Sequence, residues 1–227
     1  NILLIGGSQG IGLSIVKLLH QDYNIFIASR SNEGLEKLNV THIPFDATID
    51  DLDTTTLPDE IHGFAYCPGS INLKPFKMMS METIEADMQL NFFALVKVIK
   101  AILPKMTHES SMVFFSTVAV NTGMPFHTSV AAAKGAIEGF AKSMAAEYAP
   151  KIRVNVVAPS LVDTPLATRL LSNERKREMM SERHPLKRVG LSEDIANIAV
   201  FLLSDKSGWM TGQIVGVDGG MSTLNIS

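Results

Sequence analysis

Seven short apolar runs punctuate the chain: Ile2–Ile5, Ile25–Ala28, His42–Phe45, Gly63–Tyr66, Met112–Ser116, Arg153–Ala158 and Ile214–Val217. They are continuous rather than alternating. A strand buried on both faces has no polar side to alternate with, so such runs belong to a sheet covered twice. Stretches of helical period separate them, near residues 11–20, 32–39, 80–103, 128–148, 166–183 and 192–203. Regular β-α-β alternation with right-handed crossovers leads to an α/β, doubly wound parallel sheet of seven strands with helices on both faces. Ser80 is a good N-cap for the long third helix, and Pro104 cannot continue it. Glu193 and Asp194 fall in the first turn of the last helix, where the helix dipole favours negative charge.

No repeat, low-complexity tract or linker divides the sequence, so residues 1–227 read as one domain. The segment at about 165–190 stands apart by its charged stretch 173–178 between Pro165 and Pro185. It reads either as a solvated helix face or as a mobile cover over a ligand crevice. Twenty Lys and Arg against 23 Asp and Glu give a net charge of −3, which argues against a nucleic-acid partner. The single Cys67 closes no intramolecular disulfide, and no Cys/His cluster has metal-ligand spacing. No apolar stretch reaches the roughly 18 residues that a membrane span needs, and the opening run lacks the form of a signal peptide. The expectation is a soluble, cytoplasmic protein with neither metal nor membrane partner.

The first strand runs into Gly6-Gly7-Ser8-Gln9-Gly10-Ile11-Gly12, which opens the first helix. Glycines there permit a tight turn and let backbone N–H groups approach a pyrophosphate at the helix N-terminus. An ordinary glycine-rich strand-to-helix turn has the same letters, but the place at the first βα junction favours a dinucleotide site built from Gly6, Ser8, Gln9, Gly10, Ile11 and Gly12. The second strand ends in Ser29-Arg30-Ser31. A site selective for NAD normally offers an acid here, whereas Arg30 suits the 2′-phosphate of NADP. Asp46, followed by Ala47, can meet the adenine amino group or close an Asx turn, and the two are compatible.

Together these pieces resemble the short-chain dehydrogenase/reductase family along essentially the whole chain. The resemblance is carried by the Gly6–Gly12 loop, Gly69 closing the fourth strand, Asn91, Ser116-Thr117, Lys134, the run from Arg153 to Pro159, Thr164 and Asp218-Gly219-Gly220. It implies a Rossmann fold, hydride transfer with NADP in preference to NAD, a small-molecule substrate and a homodimer or homotetramer. It further implies that Lys134 holds the coenzyme ribose, that Thr117, with Ser116 adjacent, orients the substrate oxygen, and that Asn91 anchors a relay water. Cys67, Pro68 and Gly69 stand where the family has Asn-Ala-Gly, and Pro159, Val162 and Thr164 keep the spacing of the groups around the nicotinamide.

The family's proton donor is a tyrosine one helical turn before the lysine; that position is Val130. Valine has no proton to give. Two functions stay open: an oxidoreductase acting on a small carbonyl, alcohol or activated alkene through another donor, or a catalytically silent NADP(H)-binding protein. Candidate replacements are His127, Ser129, which points about 100° away around a helix, and Tyr66.

Overall fold

The structure is a computed structural model and describes residues 1–225. In chain order its elements are β1 (Ile2–Ile5), α1 (Gly10–Leu19), β2 (Ile25–Ser29), β3 (Thr41–Pro44), β4 (Ile61–Tyr66), α2 (Met81–Met88), α3 (Ala94–Ile102), β5 (Met106–Phe115), α4 (Ala119–Thr122), α5 (Thr128–Tyr148), β6 (Ile152–Pro159), β7 (Val162–Asp163), α6 (Glu174–Glu182), β8 (Gly190–Leu191), α7 (Ser192–Leu203) and β9 (Ile214–Val217). Seven strands form one parallel sheet in the order β3-β2-β1-β4-β5-β6-β9.

The burial explains the unbroken apolar runs. Within β1, Leu3 and Ile5 join the core on one face, with Phe64, Phe114, Leu95 and Ile137. Ile2 and Leu4 join the core on the other, with Ile15, Val16, Ile195 and Leu202. Alternate residues therefore face opposite helix layers: α3 and α5 cover one side, α1 and α7 the other.

Three helical expectations are corrected. Residues 32–39 form turns and no helix. Gly34 has φ +79, and Leu35 is buried from a turn rather than from a helix face; the segment between β2 and β3 is too short for a helical crossover. The long third helix starts where expected, with Ser80 Oγ accepting the Thr83 N–H at 3.3 Å. It then widens into a π-helical segment, Gln89–Phe93, between α2 and α3. The helix placed at 166–183 shortens to α6, capped by Asn173, whose Oδ1 accepts the Lys176 N–H at 2.9 Å. Its flanks are joined by a two-stranded parallel pair, β7 with β8, in register Val162 to Gly190. Neither short strand is visible in the hydropathy pattern.

Candidate active site

Connections leave β1 toward β2 and β4 toward β5, in opposite directions across the sheet, so its C-terminal edge opens between them. A cavity of about 660 Å³ lies there. Its floor is the turn after β1. Gly6 and Gly10 take the left-handed φ values +80 and +54, and a Cβ on Gly12 would stand 2.2 Å from the Gly6 carbonyl oxygen. Gln9 makes no side-chain cap bond to α1, so first-turn N–H groups remain without a side-chain acceptor. Ser8, Gln9 and Ile11 line the same cavity.

At the far end, Ser29 is committed to the fold: its hydroxyl donates to Ser31 O at 2.8 Å, and the His42 ring lies against it. Arg30 is exposed on the cavity wall and makes no ion pair among the described residues. Asp46 closes the Asx turn. Its carboxylate accepts from Thr48 Oγ1 at 2.6 Å and Thr48 N at 2.9 Å, and these bonds, with a smaller contribution from Arg30, hold its carboxyl below the usual range. Ala47 is buried beside it.

Cys67, Pro68 and Gly69 follow β4 on this wall, and Cys67, Gly69, Ile11 and Thr164 also line a second cavity of about 230 Å³. The second cavity is lined mainly by apolar side chains, among them Ile71, Phe115, Met124 and Leu170. Ser116, Thr117, His127, Lys134, Ser160 and Thr164 are among its polar residues, with Ser70, Arg183 and His184, and Val130, Pro159 and Val162 line it too.

Lys134 is only 7% exposed. Burial pulls its ammonium down to about 8, against the opposing pull of Cys67 and Asp87. Burial pushes the Cys67 thiol up to about 12. Asp87 is itself fully buried and accepts from Ser70 Oγ at 2.5 Å, Asn72 Nδ2 at 2.7 Å and Ser129 Oγ at 2.5 Å. Asn91, one turn further along and placed inward by the π-helical segment, donates to Ser70 Oγ and to Asp87 O. Its Oδ1 has no partner among the described residues. A Cβ on Gly69 would lie 3.4 Å from Lys134 Nζ and 3.5 Å from Asn91 Oδ1, so both atoms converge on this glycine.

The hydroxyls differ in what they have left to give. Ser116 Oγ donates to the buried Glu138 at 2.5 Å, one turn beyond Lys134. Thr117 Oγ1 accepts the Ala119 N–H at 3.3 Å and keeps its own proton for a ligand. Ser160 donates to His184 Nε2 at 2.8 Å, because His184 Nδ1 already donates to Met180 O. Tyr66 is in the core, with its hydroxyl on Leu90 O at 2.7 Å, and burial raises its pKa. His127 is half-buried, with Nδ1 2.8 Å from Pro125 O.

Asp87, Glu138 and His184 were not anticipated from sequence. Asp87 precedes Asn91, and Glu138 follows Lys134, by four residues, a one-turn spacing that could have flagged them. His184 meets Ser160 across a loop, and no local pattern marks it. Among the described residues no group of three or more His, Cys, Asp or Glu is placed to hold a metal, and no helix is long and apolar enough to cross a membrane.

Comparison with known proteins shows the family of the chain. A family model described as enoyl-(acyl carrier protein) reductase matches residues 6–222. The 3-oxoacyl-(acyl-carrier-protein) reductase FabG of Chlamydia trachomatis is 31% identical over 241 residues, spanning 97% of this chain and 96% of that protein. The chain is a short-chain dehydrogenase/reductase. The L-xylulose reductase of Bos taurus is 32% identical to this dehydrogenase/reductase over 231 residues, spanning 96% of this chain and 94% of that protein. A short-chain dehydrogenase family protein from Francisella tularensis superposes with a TM-score of 0.91 at 28% identity, covering 99% of each chain. The short-chain dehydrogenase/reductase described here is thus a member of an oxidoreductase family by sequence and by fold.

Proposed function

We propose that the chain is an NADP(H)-dependent oxidoreductase that transfers a hydride between nicotinamide and a small carbonyl, alcohol or activated alkene. The observation that carries this reading is the convergence of Lys134 Nζ and Asn91 Oδ1 on Gly69 at the junction of the two cavities. A buried amide oxygen without a partner is costly, and a polyhydroxyl ligand offers partners both to it and to the neighbouring ammonium. The coenzyme also fits the larger cavity. The glycine turn and the open end of α1 suit a pyrophosphate, Arg30 a 2′-phosphate, Asp46 and Ala47 an adenine, and Cys67, Pro68 and Gly69 a ribose edge. Pro159, Val162 and Thr164 flank the place for a nicotinamide. When bound, NADPH supplies the hydride.

The remaining work falls to side chains. Lys134 holds a ribose and adds positive charge near the reacting oxygen. Thr117 turns its free hydroxyl proton toward that oxygen, while Ser116 positions the end of β5 through Glu138. The apolar lining of the second cavity excludes water from the reacting atoms.

Calorimetry with NADPH and NADH, followed by a screen of ketone, enoyl-thioester and dienoyl-thioester substrates, tests this. Tight NADPH binding and substrate-dependent NADPH oxidation are expected; absence of any heat of binding defeats the reading. The second reading, a silent NADP(H)-binding protein, draws on Val130. It predicts binding without turnover, and a gain of carbonyl reduction in Val130→Tyr.

A further inference from the structure

We propose that His127 is the proton donor and acceptor for the substrate, in the place where Val130 brings none; this rests on the oxidoreductase reading above. His127 caps α5, and its carbonyl already accepts the Ala131 N–H at 2.8 Å, so the helical register includes it. Positions 127, 130 and 134 therefore follow one another at intervals of one turn along the same face. All three side chains line the 230 Å³ cavity together with Thr117.

One nitrogen of the ring is fixed by the fold. Nδ1 lies 2.8 Å from the Pro125 carbonyl, which can only accept, so Nδ1 carries hydrogen. Nε2 has no protein partner among the described residues. It is an acceptor in the neutral ring and a donor in the imidazolium. The preceding residue, Phe126, adopts φ +70, a left-handed conformation costly for a bulky side chain. Its carbonyl accepts the Lys74 N–H at 3.3 Å, which pins the turn that presents His127.

Several other polar groups nearby are committed, while Thr117 keeps its hydroxyl proton to orient the substrate oxygen. Ser129 donates to Asp87, Ser116 to Glu138 and Tyr66 to Leu90 O. His184 is 2% exposed and uses both ring nitrogens. The titratable and charged groups around the same cavity are Lys134 on α5, Cys67 just after β4, and Arg183 and His184 after α6, with Asp87 and Glu138 buried behind Lys134.

Reduction places the hydride of a reduced nicotinamide on the substrate carbon and a proton on its oxygen, or on the adjacent carbon of an activated alkene. That proton leaves Nε2 of the imidazolium; the N–H electron pair stays on the ring as the new O–H or C–H bond forms. Solvent then returns a proton to the neutral ring. Oxidation of an alcohol reverses each transfer.

The test compares the unmutated enzyme with His127→Asn, His127→Phe and His184→Asn, using cyclohexanone and the acetoacetyl and crotonyl thioesters of N-acetylcysteamine over about pH 5–9. Both His127 variants are expected to lose about 100-fold or more in kcat for reduction. Their NADPH affinity by calorimetry should not change, and adding Val130→Tyr to His127→Phe should restore carbonyl reduction. Independently of turnover, diethyl pyrocarbonate should modify His127, as mapped by mass spectrometry, and NADPH with the acetoacetyl thioester should protect it. Retained turnover with an unchanged pH profile in His127→Asn overturns the proposal. So does a pH limb that disappears only in His184→Asn, an unreactive His127, or a wild-type enzyme that binds NADPH yet reduces none of the substrates. Failure of the wild type to bind NADPH defeats the coenzyme reading itself.

Discussion

Lys134 keeps a charge in a place that disfavours charge. The unfolded chain retains its proton to about pH 10.5 and the folded chain only to about 8. Between those values the unfolded state binds more protons, so stability rises with pH, by about 3 kcal/mol for this group. Cys67 acts in the opposite sense above its ordinary 9, since the folded thiol resists ionisation up to about 12. Urea unfolding of wild type and Lys134→Met at each pH isolates the lysine. The wild type is expected to gain on the variant from pH 8 to 10.5, and the variant to be at least as stable near neutrality. Arg30 is the counterpart at the other end of the larger cavity. Arg30→Ala should weaken NADPH by about 1.5–3 kcal/mol, roughly 10- to 100-fold, and leave NADH unaffected by calorimetry. The sequence displays both residues because each sits at a motif-defined offset. It does not display their surroundings: Ser129 reaches Asp87 across 42 positions, and Ser160 reaches His184 across 24.

Elements whose signals are local are the ones that can be read directly. Ser80 caps α2 through a bond three residues away, and the glycine turn lies within seven consecutive positions. The region 32–39 misleads because Leu35 and Leu38 have helical spacing, yet turns deliver both to the α1 and α7 side of the core. The π-helical segment leaves no mark in hydropathy, because one extra residue per turn alters which side chain points inward without altering composition. Here it is Asn91 that points inward. The contact between α1 and the glycine turn is tight enough to test. Gly12→Ala would force a Cβ against the Gly6 carbonyl, where nothing flexible can yield. A loss of about 1–3 kcal/mol in urea unfolding and abolition of NADPH binding are expected.

At the scale of the whole molecule, continuous apolar strands separated by helical stretches were sufficient to predict a parallel sheet with two helix layers. The cavity that forms where the β1 and β4 connections diverge is a consequence of strand order, which hydropathy alone does not encode. Assembly is a separate matter. Gly139 on α5 faces open space, with no atom of the described residues beyond its own stretch of helix within 4 Å of where a Cβ would stand, and exposed Ala132 lies two turns before it. A homodimer or homotetramer packed through this small-residue face is expected by light scattering, with Gly139→Leu shifting it toward single chains. Cys67, meanwhile, gives the protein a built-in gauge of occupancy. It is the single sulfhydryl in the sequence and stands where the two cavities share a wall, as a thiol almost devoid of thiolate near neutrality. Iodoacetamide should therefore label the native chain on the order of 100-fold more slowly than free cysteine. NADPH should slow it further, and denaturation should restore ordinary alkylation, read as one mass increment on the intact chain.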